Sequence, residues 1–491
     1  RDPLSSPCTR YGGSSISRRG TLHPTTNRFT AALCSGLLAL GGTAQVAAPY
    51  FGHGAPSSAA AVPAGDFRSA LEALPDEAGQ RAIQWLQSIE FTGHDLASMR
   101  VDGQGGIYYA DRFASAGSAG GNTAAGVAAK RGVSADSVLK LHSRPGAGYT
   151  IFIDFDGGTI DNTAWNAASG AATLQAAPYN TDGKPESFSA AEVDEIVDIW
   201  RRVAEDFAPF EVDVTTEDPG TRGPKIAWIL VTDSKAGDDG LPEPDADSVA
   251  YINALGTAIT TYYTPAFVYH NNLAASNRVA GAVSHGTGHL VGLSHDVAAA
   301  GSGPNWGAIM GLLEHEGRIT QWSKGSSSAS ANPQDDISIL MGRLGLRNDD
   351  HDDSRYDSGT PLQFDARGNI MTVQQGGNNH GVIEDRDDVD VFAFSVGAGT
   401  LDILVAPQVP AAANDAANLD IQVSLYDASG KRIWRQDASK DGAVRLKKKL
   451  PAGRYKLEVT GVGPDAGYGS LGQYVISGSV PAGGNRTAST R

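Results

Sequence analysis

The sequence predicts a multidomain protein of the α+β class, in which a domain of mixed strands and helices is followed by an antiparallel β-sandwich. The chain has 491 residues, enough for about three domains. Between residues 193 and 207 apolar residues repeat with a helical period, and short β-rich runs surround that segment. Beyond residue 346 the repeat becomes two residues, which is typical of half-buried strands. We therefore expect domains at 144–346 and 347–481, with a tail at 482–491.

Residues 1–48 have the pattern of an export signal. Arg18, Arg19 and Arg28 precede an apolar run over residues 29–40, and small residues follow it. The run is too short to span a membrane, so we expect a secreted or periplasmic bacterial protein without stable membrane insertion. Cys8 and Cys34 are the only cysteines and both lie in this segment. After removal of the signal, no disulfide and no cysteine thiolate would remain.

Residues 49–143 are expected to form a pro-region. Residues 75–89 have a helical pattern with Pro75 in the first turn. Residues 101–109 predict a small hairpin around Gly105 and Gly106. Residues 114–129 are rich in alanine, glycine and serine, a composition typical of flexible linkers. Such a linker suits proteolytic removal of the pro-region, and an ordinary spacer between domains is the alternative.

Residues 144–346 combine strand and helix patterns. Strands are predicted at 149–155, 211–215 and 225–232. Ser189 and Glu192 have the spacing of a capping box, which predicts the start of an amphipathic helix. A further strand at 248–251 precedes a second helix, expected at 277–291. We expect this domain to contain a mixed sheet covered by helices.

The second helix carries the most informative motif, three histidines spaced H-x3-H-x2-G-x2-H. His285 and His289 are four residues apart and therefore share one helix face. Gly292 can adopt positive φ and end the helix, which lets His295 return to the same point. Three neutral imidazoles with one open position are typical of a catalytic zinc site. Scattered, unrelated histidines are the alternative.

The motif resembles that of the metzincin zinc peptidases, H-E-x-x-H-x-x-G-x-x-H followed by a methionine turn. Met310, in the run 306–311, matches that methionine, and Asp296 after the third histidine is the pattern of the reprolysin branch. Segments 208–214 and 320–325 are similar to secreted bacterial members. The resemblance covers residues 144–346 and implies a zinc helix, a Met-turn and a substrate-binding edge strand. That strand would be formed by Ser248, Val249, Ala250 and Tyr251.

The chain departs from this family at one catalytic position. The family has a glutamate directly after the first histidine, where it acts as the general base, and this chain has Gly286. A general base contributes about 10²–10⁴-fold to rate, so efficient turnover is not expected. Glu314 and Glu316 are the nearby acids that would be considered as substitutes, although no spacing argument places them at the metal.

The C-terminal domain resembles the bacterial pre-peptidase C-terminal domain, an accessory module of secreted peptidases. The resemblance rests on the segments 387–392 and 451–455. Some relatives bind calcium through aspartates near such positions. The corresponding calcium candidates are Asp349, Asp350, Asp388 and Asp390. Carboxylates of an ordinary turn and linker are the alternative.

Composition narrows the class of partner. The net charge is −16 and the isoelectric point is about 5.1, which argues against nucleic acid and against an anionic membrane surface. The resemblance implies a secreted zinc metalloendopeptidase that acts on proteins or peptides and is impaired at Gly286. The alternatives are an inactive zinc-binding pseudo-protease that binds peptides, and an adhesive or carbohydrate-binding protein. The oligomeric state stays open.

Overall fold

The computed structural model describes residues 49–113, 133–235, 240–273, 275–296, 306–311, 319–324, 332–353, 359–408, 418–438, 442–462 and 470–482. These residues belong to one compact unit, Ala47–Arg491. The predicted export signal and the predicted linker at 114–129 lie outside the described residues, as does the tail from residue 483 onward. Among the helices in the described part of the chain, none combines the length and apolarity needed to cross a membrane.

The N-terminal part contributes four strands and two helices. In chain order they are β1 (Tyr50–Phe51), α1 (Asp66–Glu72), α2 (Asp76–Leu86), β2 (Phe91–Thr92), β3 (Met99–Val101) and β4 (Ile107–Asp111). Short 3-10 helices lie at Ala59–Ala61 and Asp95–Ala97. The predicted helix and hairpin are both present, as α2 and as the antiparallel pair β3–β4.

The central part alternates strands and helices, as its sequence predicts. In chain order it contains α3 (Ala135–Val138), β5 (Tyr149–Asp154), β6 (Gly158–Asp161), α4 (Ala164–Ser169), β7 (Thr173–Ala176), α5 (Ala190–Asp206), β8 (Val212–Thr215), β9 (Ile226–Thr232), β10 (Ser248–Tyr251), β11 (Ala266–Tyr269), α6 (His270–Leu273), α7 (Ser276–Val291), β12 (Trp306–Ala308), β13 (Ile319–Gln321) and α8 (Asp336–Leu344).

The main sheet has seven strands in the order β3-β4-β10-β11-β9-β5-β8. Strands β8, β5, β9 and β11 run parallel, whereas β10 is antiparallel to both of its neighbours. The metzincin resemblance predicts that Ser248–Tyr251 lies at a sheet edge. In this structure the strand instead lies inside the sheet, because β4 from the N-terminal part pairs along its outer side.

Two long helices pack together beside this sheet. The helix α5 begins at Ser189 with the predicted capping box, in which the Ser189 hydroxyl accepts from the Glu192 amide and the Glu192 carboxylate accepts from the Ser189 amide. One face of α5 is buried in the core, including Ile196, Ile199 and Val203. The helix α7 contacts it and begins one residue before its predicted start.

The C-terminal part consists of two facing sheets with a shared apolar core, as the two-residue period predicts. Its strands are β14 (Thr360–Pro361), β15 (His380–Ile383), β16 (Asp390–Val396), β17 (Gly399–Pro407), β18 (Ile421–Asp427), β19 (Arg432–Asp437), β20 (Val444–Leu450), β21 (Gly453–Gly461) and β22 (Gly472–Ser479). A 3-10 helix lies at Val373–Gln375. The sheets are ordered β14-β16-β21-β18-β19 and β15-β22-β17-β20. Pairing is antiparallel throughout, except between β14 and β16.

This sandwich is joined to the C-terminal end of α5 by buried hydrogen bonds. The Glu205 carboxylate accepts from the backbone amide and the side-chain amide of Gln473, at 2.9 and 2.8 Å. The Asp206 carboxylate accepts from the Asn418 amide at 2.6 Å and, on its other oxygen, from the Ser284 hydroxyl of α7 at 2.5 Å. Burial raises the pKa of Glu205 to about 7 and that of Asp206 to about 6. The two acids therefore link the sandwich to the helix that carries the histidines.

Candidate metal centre

The three motif histidines converge in the interior of the central part. His285 and His289 lie one helical turn apart on α7, and their ring centroids are 4.6 Å apart. Gly292 adopts a φ of 118°, in the left-handed region, and ends the helix. The reversal brings the His295 ring to 5.2 Å from His285 and 5.0 Å from His289. All three side chains are buried.

Backbone carbonyls fix which ring nitrogens face the centre. His285 Nδ1 lies 2.9 Å from the Ile309 carbonyl oxygen, and His289 Nδ1 lies 2.8 Å from the Leu293 carbonyl oxygen. A carbonyl oxygen only accepts, so each Nδ1 must carry the proton and donate it. In the neutral form of each ring, Nε2 is then an unprotonated acceptor directed into the cluster. Metal-binding histidines are commonly oriented by such a hydrogen bond to the other ring nitrogen.

A fourth group, the Asp111 carboxylate at the end of β4, completes the cluster. One of its oxygens lies 3.4 Å from His285 Nε2 and 3.1 Å from His289 Nε2, and the other lies 3.0 Å from His295 Nε2. Burial would raise the pKa of Asp111, but the three histidines outweigh it and hold that pKa well below its usual range. Burial lowers the pKa of His289 to about 4, which keeps its ring neutral.

These four side chains could hold a metal ion. The four ligand atoms lie within 4.8 Å of one another, and His285 Nε2, His295 Nε2 and one Asp111 oxygen have no hydrogen-bond partner among the described residues. Acceptor atoms facing one another repel unless a cation or a proton lies between them.

The N-terminal part also supports His295 directly. The Asp95 carboxylate accepts from the His295 backbone amide at 2.9 Å and lies 3.3 Å from His295 Nδ1. Burial lowers the pKa of His295, but Asp111 and Asp95 together outweigh burial and raise it. In the absence of a metal, a proton on His295 would therefore supply the positive charge between these carboxylates.

Met310 is buried against the helix that carries the two histidines. A Cβ atom added to Gly288 would lie 2.4 Å from the Met310 sulfur, so only glycine at this position permits the contact. The Asp296 amide donates to the Met310 carbonyl at 2.9 Å, which ties the segment after His295 to this methionine. Met310 therefore packs against α7 at Gly288.

Gly286 faces strand β10. A Cβ atom at this position would lie 3.1 Å from the Ser248 hydroxyl and 4.0 Å from the Ala250 methyl group. The Ser248 hydroxyl is buried without a hydrogen-bond partner among the described residues. A side chain at position 286 would therefore enter the space between α7 and β10. Glu314 and Glu316 lie outside the described residues.

The calcium candidates divide between two adjacent clusters in the sandwich. One contains Asp349 and Asp388 with Glu384, and the other contains Asp350 and Asp390 with His351. Both Glu384 oxygens and one Asp388 oxygen are buried without a hydrogen-bond partner among the described residues. Burial, followed by the neighbouring carboxylates, raises the pKa of Glu384 to about 10.

The second of these clusters has fewer buried oxygens without a hydrogen-bond partner among the described residues, one each on Asp350 and Asp390, against three in the first. His351 Nε2 lies 2.6 Å from the His380 carbonyl oxygen, and Nδ1 lies 3.2 Å from the Thr360 hydroxyl. The Tyr474 hydroxyl donates to Asp390 at 2.5 Å. Of the two clusters, the one with Glu384 therefore offers the better oxygen-ligand set for a hard cation such as calcium.

Comparison with known proteins gives only partial similarities. No protein-family model and no curated protein matches the sequence. Among solved structures, the pre-peptidase C-terminal domain of a collagenase from Bacillus anthracis is 19% identical and covers 20% of this chain and 83% of its own, with a TM-score of 0.16. PliG, a periplasmic inhibitor of g-type lysozyme from Aeromonas hydrophila, is 16% identical, with coverages of 24% and 93% and a TM-score of 0.17.

A third similar structure, the mannan-binding module from Man5C, is 16% identical, with coverages of 24% and 97% and a TM-score of 0.13. These likenesses span at most 24% of the chain and establish no family for it.

Sequence reasoning missed the residues that reach the sites from distant segments. Asp111 lies 178 positions before His289, and Asp95 lies 200 positions before His295. Neither belongs to a motif, and only the pairing of β4 with β10 brings Asp111 to the histidines. Glu384 lies four residues before Asp388 and six before Asp390, and it gave no signal in the sequence beyond being another acid.

Proposed function

We propose that this chain is an exported zinc metallopeptidase of the metzincin type, with turnover limited by glycine at position 286. The observation that carries the proposal is the buried cluster of His285, His289, His295 and Asp111, whose ligand atoms all lie within 4.8 Å of one another. The fixed tautomers of His285 and His289 and the position of Met310 support the same conclusion. The sheet supports it too, because its antiparallel strand β10 contacts α7, the helix that carries His285 and His289.

The residues of the chain divide the chemical work. The three imidazoles would hold the metal, and the Ile309 and Leu293 carbonyls orient two of them. When bound, zinc supplies Lewis acidity for attack of water on a peptide carbonyl. Strand β10 would offer main-chain groups to an extended peptide only where β4 does not occupy its outer side. Position 286 offers no group that takes a proton from the attacking water and passes it to the leaving amine, so peptide binding is retained while that proton transfer is slowed.

The decisive experiment measures peptide hydrolysis by the zinc-loaded protein and by its Gly286→Glu variant. A recognition sequence for a site-specific protease is inserted after Gly121, within the predicted linker. Both proteins can then be cleaved between the N-terminal part and the central part before the assay. Gly286→Gln is the matched control, since it has the same size without a basic carboxylate. Each variant is also made with Ser248→Ala, because a side chain at 286 approaches the Ser248 hydroxyl at 3.1 Å.

The glutamate variant is expected to be faster than the natural chain and the glutamine variant by about 10²–10⁴-fold. Equal rates in all three would place the base elsewhere and refute the role assigned to position 286. If none hydrolyses peptide while all retain zinc, the chain is a zinc-stabilised peptide-binding protein. If none retains zinc, the metallopeptidase proposal fails altogether.

A second function, calcium binding by the sandwich, is favoured by the Asp349–Glu384–Asp388 cluster. Its buried oxygens without hydrogen-bond partners and the raised pKa of Glu384 favour a cation here, and the Arg347 guanidinium lies 3.8 Å from one Glu384 oxygen. Calcium at about 100 times its Kd is expected to stabilise the protein by about 2.7 kcal/mol. Thermal unfolding with calcium or magnesium, in the natural chain and in Asp388→Asn, checks this. An equal shift in both proteins would exclude the cluster as the site.

A further inference from the structure

We propose that the C-terminal sandwich is a structural part of the metal centre, with Asn418 as a positioning residue that acts on His285 through Asp206. The proposal rests on the metallopeptidase function proposed above and adds to it a dependence of metal affinity on the sandwich. A module joined only by a linker would make few contacts with the central part. Here buried hydrogen bonds lead from the sandwich to this histidine by two routes.

The first route runs through the C-terminal end of α5. The Asn418 side-chain amide, shortly before β18, donates to one Asp206 oxygen at 2.6 Å. The other Asp206 oxygen accepts from the Ser284 hydroxyl at 2.5 Å, and Ser284 directly precedes His285 on α7. Asn418, Asp206 and Ser284 are at most 6% exposed, so water does not readily replace these bonds. One carboxylate therefore ties the first histidine of α7 to the sandwich.

The second route runs through β13 to the backbone group that orients His285. The Gln321 side-chain amide donates to the Leu471 carbonyl of the sandwich at 3.0 Å. The main-chain carbonyl of Gln321 accepts from the Ile309 amide at 2.8 Å. The Ile309 carbonyl oxygen in turn lies 2.9 Å from His285 Nδ1. The sandwich therefore also supports the carbonyl that fixes the tautomer of this ring.

Asn418 connects the two routes. Its amide group donates to Asp206, and its side-chain oxygen accepts from the Thr320 hydroxyl of β13 at 3.2 Å. Trp322 joins the same elements, because its indole N–H donates to the Asp206 carbonyl at 2.7 Å and its ring would lie 3.4 Å from a Cβ atom at Gly288. Loss of the groups that orient a metal ligand typically lowers metal affinity by about 10–100-fold. Asn418 therefore contributes to metal affinity from a position outside the ligand set.

The test measures the zinc affinity of the full chain by competition with a chromophoric chelator, which requires no turnover. Asn418→Ala removes the connection to both routes. Asn379→Ala is the matched control, because Asn379 is a similarly buried asparagine whose amide donates to two carbonyls within the sandwich, those of Gln363 and Met371, at 2.6 and 2.9 Å. We expect the Kd for zinc to rise about tenfold in Asn418→Ala and to stay unchanged in Asn379→Ala.

The cobalt form provides a second measurement, because the visible spectrum of bound cobalt reports the geometry of its ligands. This spectrum should change in Asn418→Ala and stay unchanged in Asn379→Ala. A double-mutant cycle then tests the route through Asp206. Ser284→Ala should also weaken zinc binding, and the double variant should bind zinc about as weakly as Asn418→Ala alone, since both changes break one path. Effects that multiply in the double variant would refute the role of Asp206.

The outcomes separate this proposal from the one on which it rests. If the natural chain binds no zinc, the proposed function itself fails. If the natural chain and Asn418→Ala bind zinc equally well, the proposal is overturned while the metal centre stands. Equal weakening in Asn379→Ala also overturns it, because the effect would then follow from general destabilisation of the sandwich.

If Asn418→Ala does not fold, Gln321→Met replaces it. Methionine has a side chain of similar length but lacks the amide that donates to Leu471, and the main-chain bond to Ile309 is retained. The Kd for zinc is expected to rise in this variant as well. An unchanged Kd would overturn the proposal.

Discussion

The two buried acids at the end of α5 predict a specific dependence of stability on pH. Glu205 is 2% exposed, and burial raises its pKa from 4.5 to about 7, against the opposing hydrogen bonds from Gln473. The folded chain therefore keeps a proton over an interval in which the unfolded chain loses it. The stabilising contribution is fully present below about pH 4.5 and is lost as the pH rises through about 7. This difference in the pKa of Glu205 between the unfolded and the folded chain corresponds to roughly 3 kcal/mol in the free energy of unfolding.

The perturbation is Glu205→Gln, which cannot ionise. Urea unfolding of this variant and of the natural chain is measured at about pH 4 and about pH 8, with the exposed Glu186→Gln as control. The variant loses part of its hydrogen bonding to Gln473 at both pH values, so only the difference between the two pH values is diagnostic. The free energy of unfolding is expected to fall by roughly 3 kcal/mol more in the natural chain and the control than in the variant.

The same pH dependence in all three proteins would refute the reasoning, because it would mean that Glu205 titrates normally in the folded chain. A larger fall in the variant would indicate that Gln473 stabilises the ionised carboxylate more than burial destabilises it.

Three further predictions concern the contacts around the same elements. Gly472→Ala places a Cβ atom 2.5 Å from a Glu205 oxygen at a φ of 142°, so its melting temperature should fall further than that of Gly146→Ala, where φ is also positive but the space is open. Trp322→Phe removes the indole hydrogen bond to the Asp206 carbonyl. The free energy of unfolding in urea should therefore fall by about 1–3 kcal/mol. Met310→Ala should lower the free energy of unfolding by about 2–5 kcal/mol, whereas the volume-conserving Met310→Leu should lower it by less than about 1.5 kcal/mol. Similar losses in both variants would mean that packing against Gly288 is unimportant.

The elements predicted well from sequence are those specified by neighbouring residues. The capping box at Ser189 and Glu192 marked the start of α5, because both partners lie within one turn. Gly292 marked the end of α7 for the same kind of reason, since a left-handed residue there satisfies local carbonyls. The spacing of His285, His289 and His295 brought their rings together without any information from the rest of the chain.

Contacts between distant segments were out of reach of the same reasoning. The family resemblance predicts that Ser248–Tyr251 is an edge strand, and nothing near it in the sequence shows that β4 covers that edge. Asp111 ends an ordinary strand pattern, so its role follows only from the register of β4 on β10. Glu205 and Asp206 lie at the polar end of an amphipathic helix, where charged residues usually face water, and only the docking of Asn418 and Gln473 buries them.

Strand β10 also has a consequence for handling the protein. If residues 49–113 leave, the N–H and C=O groups that now pair with β4 lose their partners along Ser248–Tyr251. Unpaired strands of this kind associate with strands of other molecules. A preparation freed of its N-terminal segment is therefore expected to self-associate as its concentration rises, and an extended peptide laid along β10 should keep it monomeric.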